Sequence, residues 1–186
     1  MIDEPEKYSG ARGYFGIGVE SISKAQNMGT LMRSAYAFGA DFFFTIAPAL
    51  NMKELRHSDT ADAARHMPFY TYDSASELHL PEGCQLVAVE FLEDSVDLPS
   101  FRHPKRAAYI LGPEMGNVSQ DMLEKSDHVL KIPTRFCVNL GVAGALVMYD
   151  RLLSTGRYPP RPVRAGGPTE PSLSRKREPD HIKHNE

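Results

Sequence analysis

Short runs of continuously apolar residues, each cut off by a loop and followed by helical spacing, constrain the fold of this chain more than any other feature. Phe42-Phe-Phe-Thr-Ile46, Leu86-Val-Ala-Val-Glu-Phe91 and Ala107-Ala-Tyr-Ile-Leu111 do not alternate polar with apolar residues. A strand can be apolar on both sides only where both sides are covered, as in a parallel sheet between helices. The order of the runs predicts strands over 14–19, 42–46, 69–72, 86–91, 107–111 and 128–132. Helices are expected between them over 27–38 and 51–65, over 74–79 capped by Asp73 or Ser74, and over 119–124 capped by Ser119. A last helix begins near Asn139, carries Val142, Leu146, Tyr149 and Leu153 on one stripe beside the small residues Ala143, Gly144 and Ala145, and ends at Gly156. This alternation predicts an α/β fold with a mostly parallel six-stranded sheet flanked by helices.

The 186 residues, 41% of them apolar, suit one domain over 14–156, with an N-terminal extension over 1–13 and a tail over 157–186. The tail holds six prolines and almost nothing apolar, so it is expected to stay flexible. It carries seven Lys/Arg against four acids; with a net charge of −3 on the whole chain, the remainder stands at −6. An acidic body argues against coating nucleic acid by charge alone, so any RNA contact must use local patches. Cys84 and Cys137 are the only cysteines and form no metal-binding pair, the histidines have no metal-ligand spacing, and no carboxylate cluster suggests magnesium. A metal-free site in a reducing, cytoplasmic setting is expected. The opening residues are acidic and polar rather than signal-like, and no apolar run reaches the ~20 residues of a membrane span.

Three strand–loop–helix junctions stand out: Asn27-Met-Gly-Thr-Leu-Met-Arg33, Tyr109-Ile-Leu-Gly-Pro-Glu-Met-Gly-Asn-Val-Ser119 and Ile132-Pro-Thr-Arg-Phe-Cys-Val-Asn139. Ligands bind in the crevice outside the carboxyl ends of such strands. Taken together and in this order, the three segments resemble the motifs of the SpoU-type (TrmH-like) RNA 2′-O-ribose methyltransferases of the SPOUT superfamily. Two positions depart from the pattern, Cys137 and Gly141 standing where the family carries serines. The resemblance spans roughly 14–154 and implies a deep C-terminal trefoil knot, an exception to ordinary chain topology. It also implies S-adenosylmethionine as methyl donor, RNA as substrate, and a homodimer with a composite active site built through the first and last helices. With a body of about 150 residues and no N-terminal RNA-capture domain like that of longer relatives, tRNA is expected over ribosomal RNA. A non-catalytic knotted protein that binds RNA or the cofactor is the alternative, motivated by Cys137 and Gly141.

On the same resemblance, Val89, Glu90, Leu111, Gly112, Gly116, Ile132, Cys137 and Val138 are the expected cofactor-binding positions, as apolar walls and close backbone approaches. Arg33, Asn27, Glu114 and Asn139 are the expected catalytic set. Arginine stays protonated, so Arg33 is a poor base; its planar fork suits clamping the nucleotide backbone and stabilising a developing alkoxide. Asn27 reads equally as a helix N-cap or a substrate contact. Glu114 could hold Asn27, Arg33 or a ribose hydroxyl, and Asn139 could cap the last helix or touch substrate. Lys53, Arg56, Arg65 and His66, with Arg33, are the expected RNA contacts.

Overall fold

The computed structural model describes residues 13–50, 66–156 and 158. Within them lies one sheet of seven strands, all paired in parallel: β1 (Tyr14–Glu20), β2 (Phe42–Ile46), β3 (Phe69–Tyr72), β4 (Gln85–Val89), β5 (Val96–Asp97), β6 (Arg106–Leu111) and β7 (His128–Lys131). Their spatial order is β3-β2-β1-β6-β4-β7-β5. The helices are α1 (Ala25–Ala37), α2 (Gln120–Lys125) and α3 (Leu140–Thr155), with single 3₁₀ turns at Ala75–Glu77 and Leu98–Ser100. Six strands were expected and there are seven. The addition is a two-residue edge rung against Leu130 and Lys131, too short to leave a pattern in the sequence. The helix expected over 51–65 lies outside the described residues, as do the extension over 1–12 and the tail apart from Tyr158.

The continuous apolar runs are explained by the two covered faces. Phe15, Ile17, Val19, Tyr109 and Leu111 point to the face under α1 and α3, whereas Phe42, Phe44, Leu86, Ala88, Ala108 and Ile110 face α2 and the 3₁₀ turn at Ala75. In the β1–β2 register Gly16 lies opposite Phe42 and Gly18 opposite Phe44. The two rings fill the space that side chains on those glycines would need.

Helix α3 packs on α1 along its small-residue side. Leu140, Gly141, Ala143, Gly144, Val147 and Met148 are buried, and the Leu31 side chain occupies the room a Cβ on Gly144 would take. The stripe of Val142, Leu146, Tyr149 and Leu153 stays exposed.

At the opposite end of the sheet from the loops of interest, α3 is anchored by a buried polar chain. Arg151, 1% exposed, donates to the Pro104 and Lys105 carbonyls at 2.6 and 3.0 Å and to the Tyr109 hydroxyl at 3.2 Å. Its guanidinium also lies 5.0 Å from the centre of the Phe15 ring. A carboxylate only accepts, so in the neutral imidazole His103 Nε2–H donates to Asp150 Oδ2 (3.0 Å) and Nδ1 accepts from the Tyr109 hydroxyl (2.5 Å). That chain uses a neutral imidazole. Burial pushes the His103 pKa below its usual 6.5, with Asp150 pulling it back and Arg151 pushing further down. The unfolded chain binds a proton near 6.5 that the folded chain resists, so stability is retained above that pH and declines as pH falls below it. The thermal midpoint is therefore expected to drop between pH 7.5 and 5.5, with a shallower drop in His103→Gln; parallel pH profiles for the two proteins would contradict the assignment.

Candidate active site

Because all strands run the same way, their carboxyl ends and the loops that follow gather on one edge of the sheet. The order reverses at β1, whose neighbours β2 and β6 lie on opposite sides, and crevices form at such points. A pocket of about 480 Å³ opens on this edge, beside that point, between the ends of β4, β6 and β7 and the start of α1. All eight expected cofactor positions line it: Val89 and Glu90 after β4, Leu111, Gly112 and Gly116 after β6, and Ile132, Cys137 and Val138 after β7. The β6–α2 loop is drawn tight at Gly112, where a Cβ would sit 2.8 Å from the Val118 backbone nitrogen. At Gly116 the loop takes φ +124°, a conformation that side-chain-bearing residues rarely adopt. Glu90 holds the same loop by accepting from Val118 N–H at 2.7 Å, and Glu20, at the end of β1, accepts from Ser119 N–H at 2.8 Å.

Asn27, Glu114 and Asn139, 112 residues apart at their extremes, form one hydrogen-bonded relay on the pocket wall. Glu114 Oε1 accepts from Lys24 N–H (3.0 Å) and Asn27 Nδ2 (3.1 Å); Oε2 accepts from the Ser23 hydroxyl (2.9 Å) and N–H (3.2 Å). Asn27 Oδ1 in turn accepts from Asn139 Nδ2 at 2.9 Å. Asn139 Oδ1 caps α3 by accepting from Gly141 and Val142 N–H. Partial burial alone would raise the Glu114 pKa, but the bonds from its own backbone, Asn27 and Ser23 together outweigh it and leave the carboxyl below its usual 4.5.

One expectation is corrected by this geometry. Asn27 is not a helix N-cap: α1 begins two residues earlier, the cap is Lys24 without a side-chain bond of its own, and Asn27 spans Glu114 and Asn139 instead. The distant Glu114 supplies the missing acceptor and places its negative charge at the positive end of the helix dipole. Between Asn27 and Arg33, Glu114 takes Asn27. Asn139 does cap α3 with one end of its amide, and with the other it holds Asn27.

Arg33 is separate from this wall. It lies on the exposed side of α1 and does not line the pocket of its own chain. His66 is exposed and stacks on Tyr36 at 5.5 Å, while Lys53, Arg56 and Arg65 lie outside the described residues. Ser23, Lys24, Phe91, Asn117 and Lys131 belong to the site but were not singled out in the sequence. None of them had a legible signal, since Ser23 and Lys24 join the site only through Glu114, some ninety residues away. Among the described residues, no group of three or more His, Cys, Asp or Glu is placed to hold a metal, and no helix is long and apolar enough to cross a membrane.

The profile of the SpoU rRNA Methylase family matches residues 15–149, the whole of this sheet and its helices up to the middle of α3. The chain belongs to the SpoU rRNA methylase family. Among curated relatives, the tRNA (guanosine(18)-2′-O)-methyltransferase of Escherichia coli K12 is 24% identical over 138 residues, which cover 71% of this chain and 60% of that protein. The chain thus spans about 60% of the length of the curated relatives it first matches. The SpoU methyltransferase AviRb of Streptomyces viridochromogenes, solved with AdoMet, superposes with a TM-score of 0.68 at 18% identity over 84% of this chain and 64% of that one. A structure bearing on 2′-OH methylation of C/U34 on tRNA superposes at 0.65 with 22% identity, covering 77% of this chain and 97% of the other. At these identities the superpositions establish the SpoU fold.

Proposed function

We propose that the chain is an S-adenosylmethionine-dependent RNA methyltransferase that modifies a ribose 2′-hydroxyl, with tRNA as the substrate class. The observation that carries this reading is the pocket itself. Three loops remote in sequence are bonded side chain to side chain around about 480 Å³ of space, a volume in the ordinary range for small-molecule sites. Val89, Leu111, Ile132 and Val138 offer apolar walls for a purine ring, and the backbone near Gly112 and Gly116 approaches closely enough to read its edge. Glu90 stands beside that space for ribose hydroxyls. When bound, the cofactor supplies a sulfonium-activated methyl group. Membership of the SpoU rRNA methylase family supports methyl transfer to RNA, and a relative named as a tRNA 2′-O-methyltransferase supports tRNA as the substrate class.

The residues divide the remaining work. The Glu114–Asn27–Asn139 relay keeps the three loops in register, so that acceptor oxygen and methyl carbon can meet in line. Glu114, ionised and engaged by four donors, positions the site and takes no proton from substrate. Arg33 clamps the target nucleotide's phosphate and lowers the cost of charge developing on the 2′-oxygen. In this reading it reaches the pocket of a second subunit: it is exposed on α1, the helix on which α3 packs with its own apolar stripe exposed, and both would face the partner across a two-fold axis. The loops after β6 and β7 would form the trefoil knot.

Against the non-catalytic alternative, a side chain at Gly141 would bring Cβ within 2.7 Å of Thr30 Cγ2, so a close α1–α3 contact accounts for glycine there. Incubating the purified protein with methyl-labelled cofactor and bulk tRNA or ribosomal RNA tests the reading. Label is expected in alkali-resistant dinucleotides of tRNA; tight cofactor binding without transfer to either RNA would overturn it. Gly112→Val should cut cofactor affinity by an order of magnitude or more, because the added carbons meet the Val118 backbone, which cannot swing aside as a side chain can. Calorimetry showing unchanged affinity would remove the β6–α2 loop from the cofactor site.

A further inference from the structure

Phe136 is 77% exposed, the most exposed aromatic residue among those described, yet it does not sit on a loose loop. Thr134 N–H donates to the Ile132 carbonyl at 2.8 Å, and the Thr134 hydroxyl donates to the carbonyl of Phe136 itself, also at 2.8 Å. This tight turn holds the ring out between Thr134 and Cys137, two residues that line the pocket. Arg135 beside it is exposed and has no partner among the described residues. An apolar ring of this size gains nothing for folding while it stands in water. On the rim of a nucleotide-sized pocket, an aromatic face with an adjacent guanidinium matches an unpaired base and its phosphate.

We infer that Phe136 is a substrate-positioning residue: an unpaired base of the RNA at or next to the target nucleotide stacks on its ring, with Arg135 on the adjoining phosphate. The inference rests on the RNA-methyltransferase reading and adds to it the way the acceptor strand is held over the pocket. Stacking tolerates any base, so this contact orients the strand without choosing its sequence.

The full chain with bulk tRNA tests it. Trypsin cleaves after Arg135, so a base stacked on Phe136 and cross-linked by ultraviolet light should be recovered on the peptide 136–151. Phe136→Ala is expected to weaken tRNA binding about 5- to 150-fold, the range of one lost stack. Phe136→Trp should keep wild-type affinity, and both variants should bind S-adenosylmethionine as the wild type does. Arg135→Ala should reduce the salt dependence of binding by about one phosphate contact. Unchanged tRNA affinity in Phe136→Ala overturns the inference. So does a loss of cofactor binding, or a shift in sedimentation relative to wild type, which would mean that the ring packs against the pocket or a second copy. Wild-type protein that cross-links through 136–151 but transfers no methyl would sink the enzymatic reading and leave the stacking contact standing. Active protein with an unaffected Phe136→Ala variant would do the reverse.

Discussion

Arg33→Ala is expected to abolish methyl transfer while leaving S-adenosylmethionine affinity within a few-fold of wild type. The reason is positional: Arg33 does not line the pocket of its own chain, so its removal takes nothing from the cofactor's walls. Arg33→Lys should also be severely impaired, because an ammonium offers one charge where the guanidinium offers a planar pair of donors. If Arg33 acts across a two-fold interface, mixing Arg33→Ala subunits with Gly112→Val subunits should restore part of the activity. The mixed dimer then carries one intact composite site. Calorimetry in which Arg33→Ala loses the cofactor would contradict this role, as would failed complementation when mixed dimers demonstrably form.

Glu114→Ala should lower both stability and turnover. Ser23 N–H, Lys24 N–H and Asn27 Nδ2 would lose their acceptor together at the start of α1, and the site is only half-buried, so water would replace part of what is lost. With Ser23 and Lys24 exposed to water, the cost is about 1 kcal/mol, or about 2–4 °C of thermal midpoint. The larger effect is expected on kcat, of about 100-fold, since Asn27 and Asn139 would no longer be held in register and small displacements of a reacting geometry are costly. Glu114→Gln should fall between, one of its two acceptor atoms having become a donor. In the wild type, the relay's contribution is present above pH 4.5, where the unfolded carboxylate is already ionised, and is lost as pH falls through the lower folded value. A Glu114→Ala protein with wild-type kcat would remove the relay from the mechanism.

How much of this could be read without coordinates depends on how local the cause is. Strand positions were legible because burial on both faces leaves an unbroken apolar run, as at Phe42–Ile46, where the whole strand is buried. The caps at Ser119 and Asn139 were legible because a cap and the N–H groups it serves lie within three residues of each other. Helix α1 began earlier than its pattern suggested because its cap is not local: the acceptor is Glu114, some ninety residues away. The two-residue strand β5 was invisible since it exists only through its pairing with β7.

The candidate site divides in the same way. Its residue types were legible from three ordered motifs, and all eight expected cofactor positions do line one pocket. Which of those residues bond to one another was not, because hydrogen bonds between side chains at 27, 114 and 139 depend on how parallel strands bring their ends together. The sequence by itself determined a two-sided parallel sheet and the caps at Ser119 and Asn139, consequences of burial and short-range hydrogen bonding, while the pocket's walls were legible only through the resemblance of its motifs to the family. Tertiary structure alone decided that Glu114 serves the start of α1, that Asn27 joins two loops instead of capping a helix, and that Arg33 and the α3 stripe are left facing outward. Each of these depends on distances between segments remote in the chain, which residue spacing does not encode.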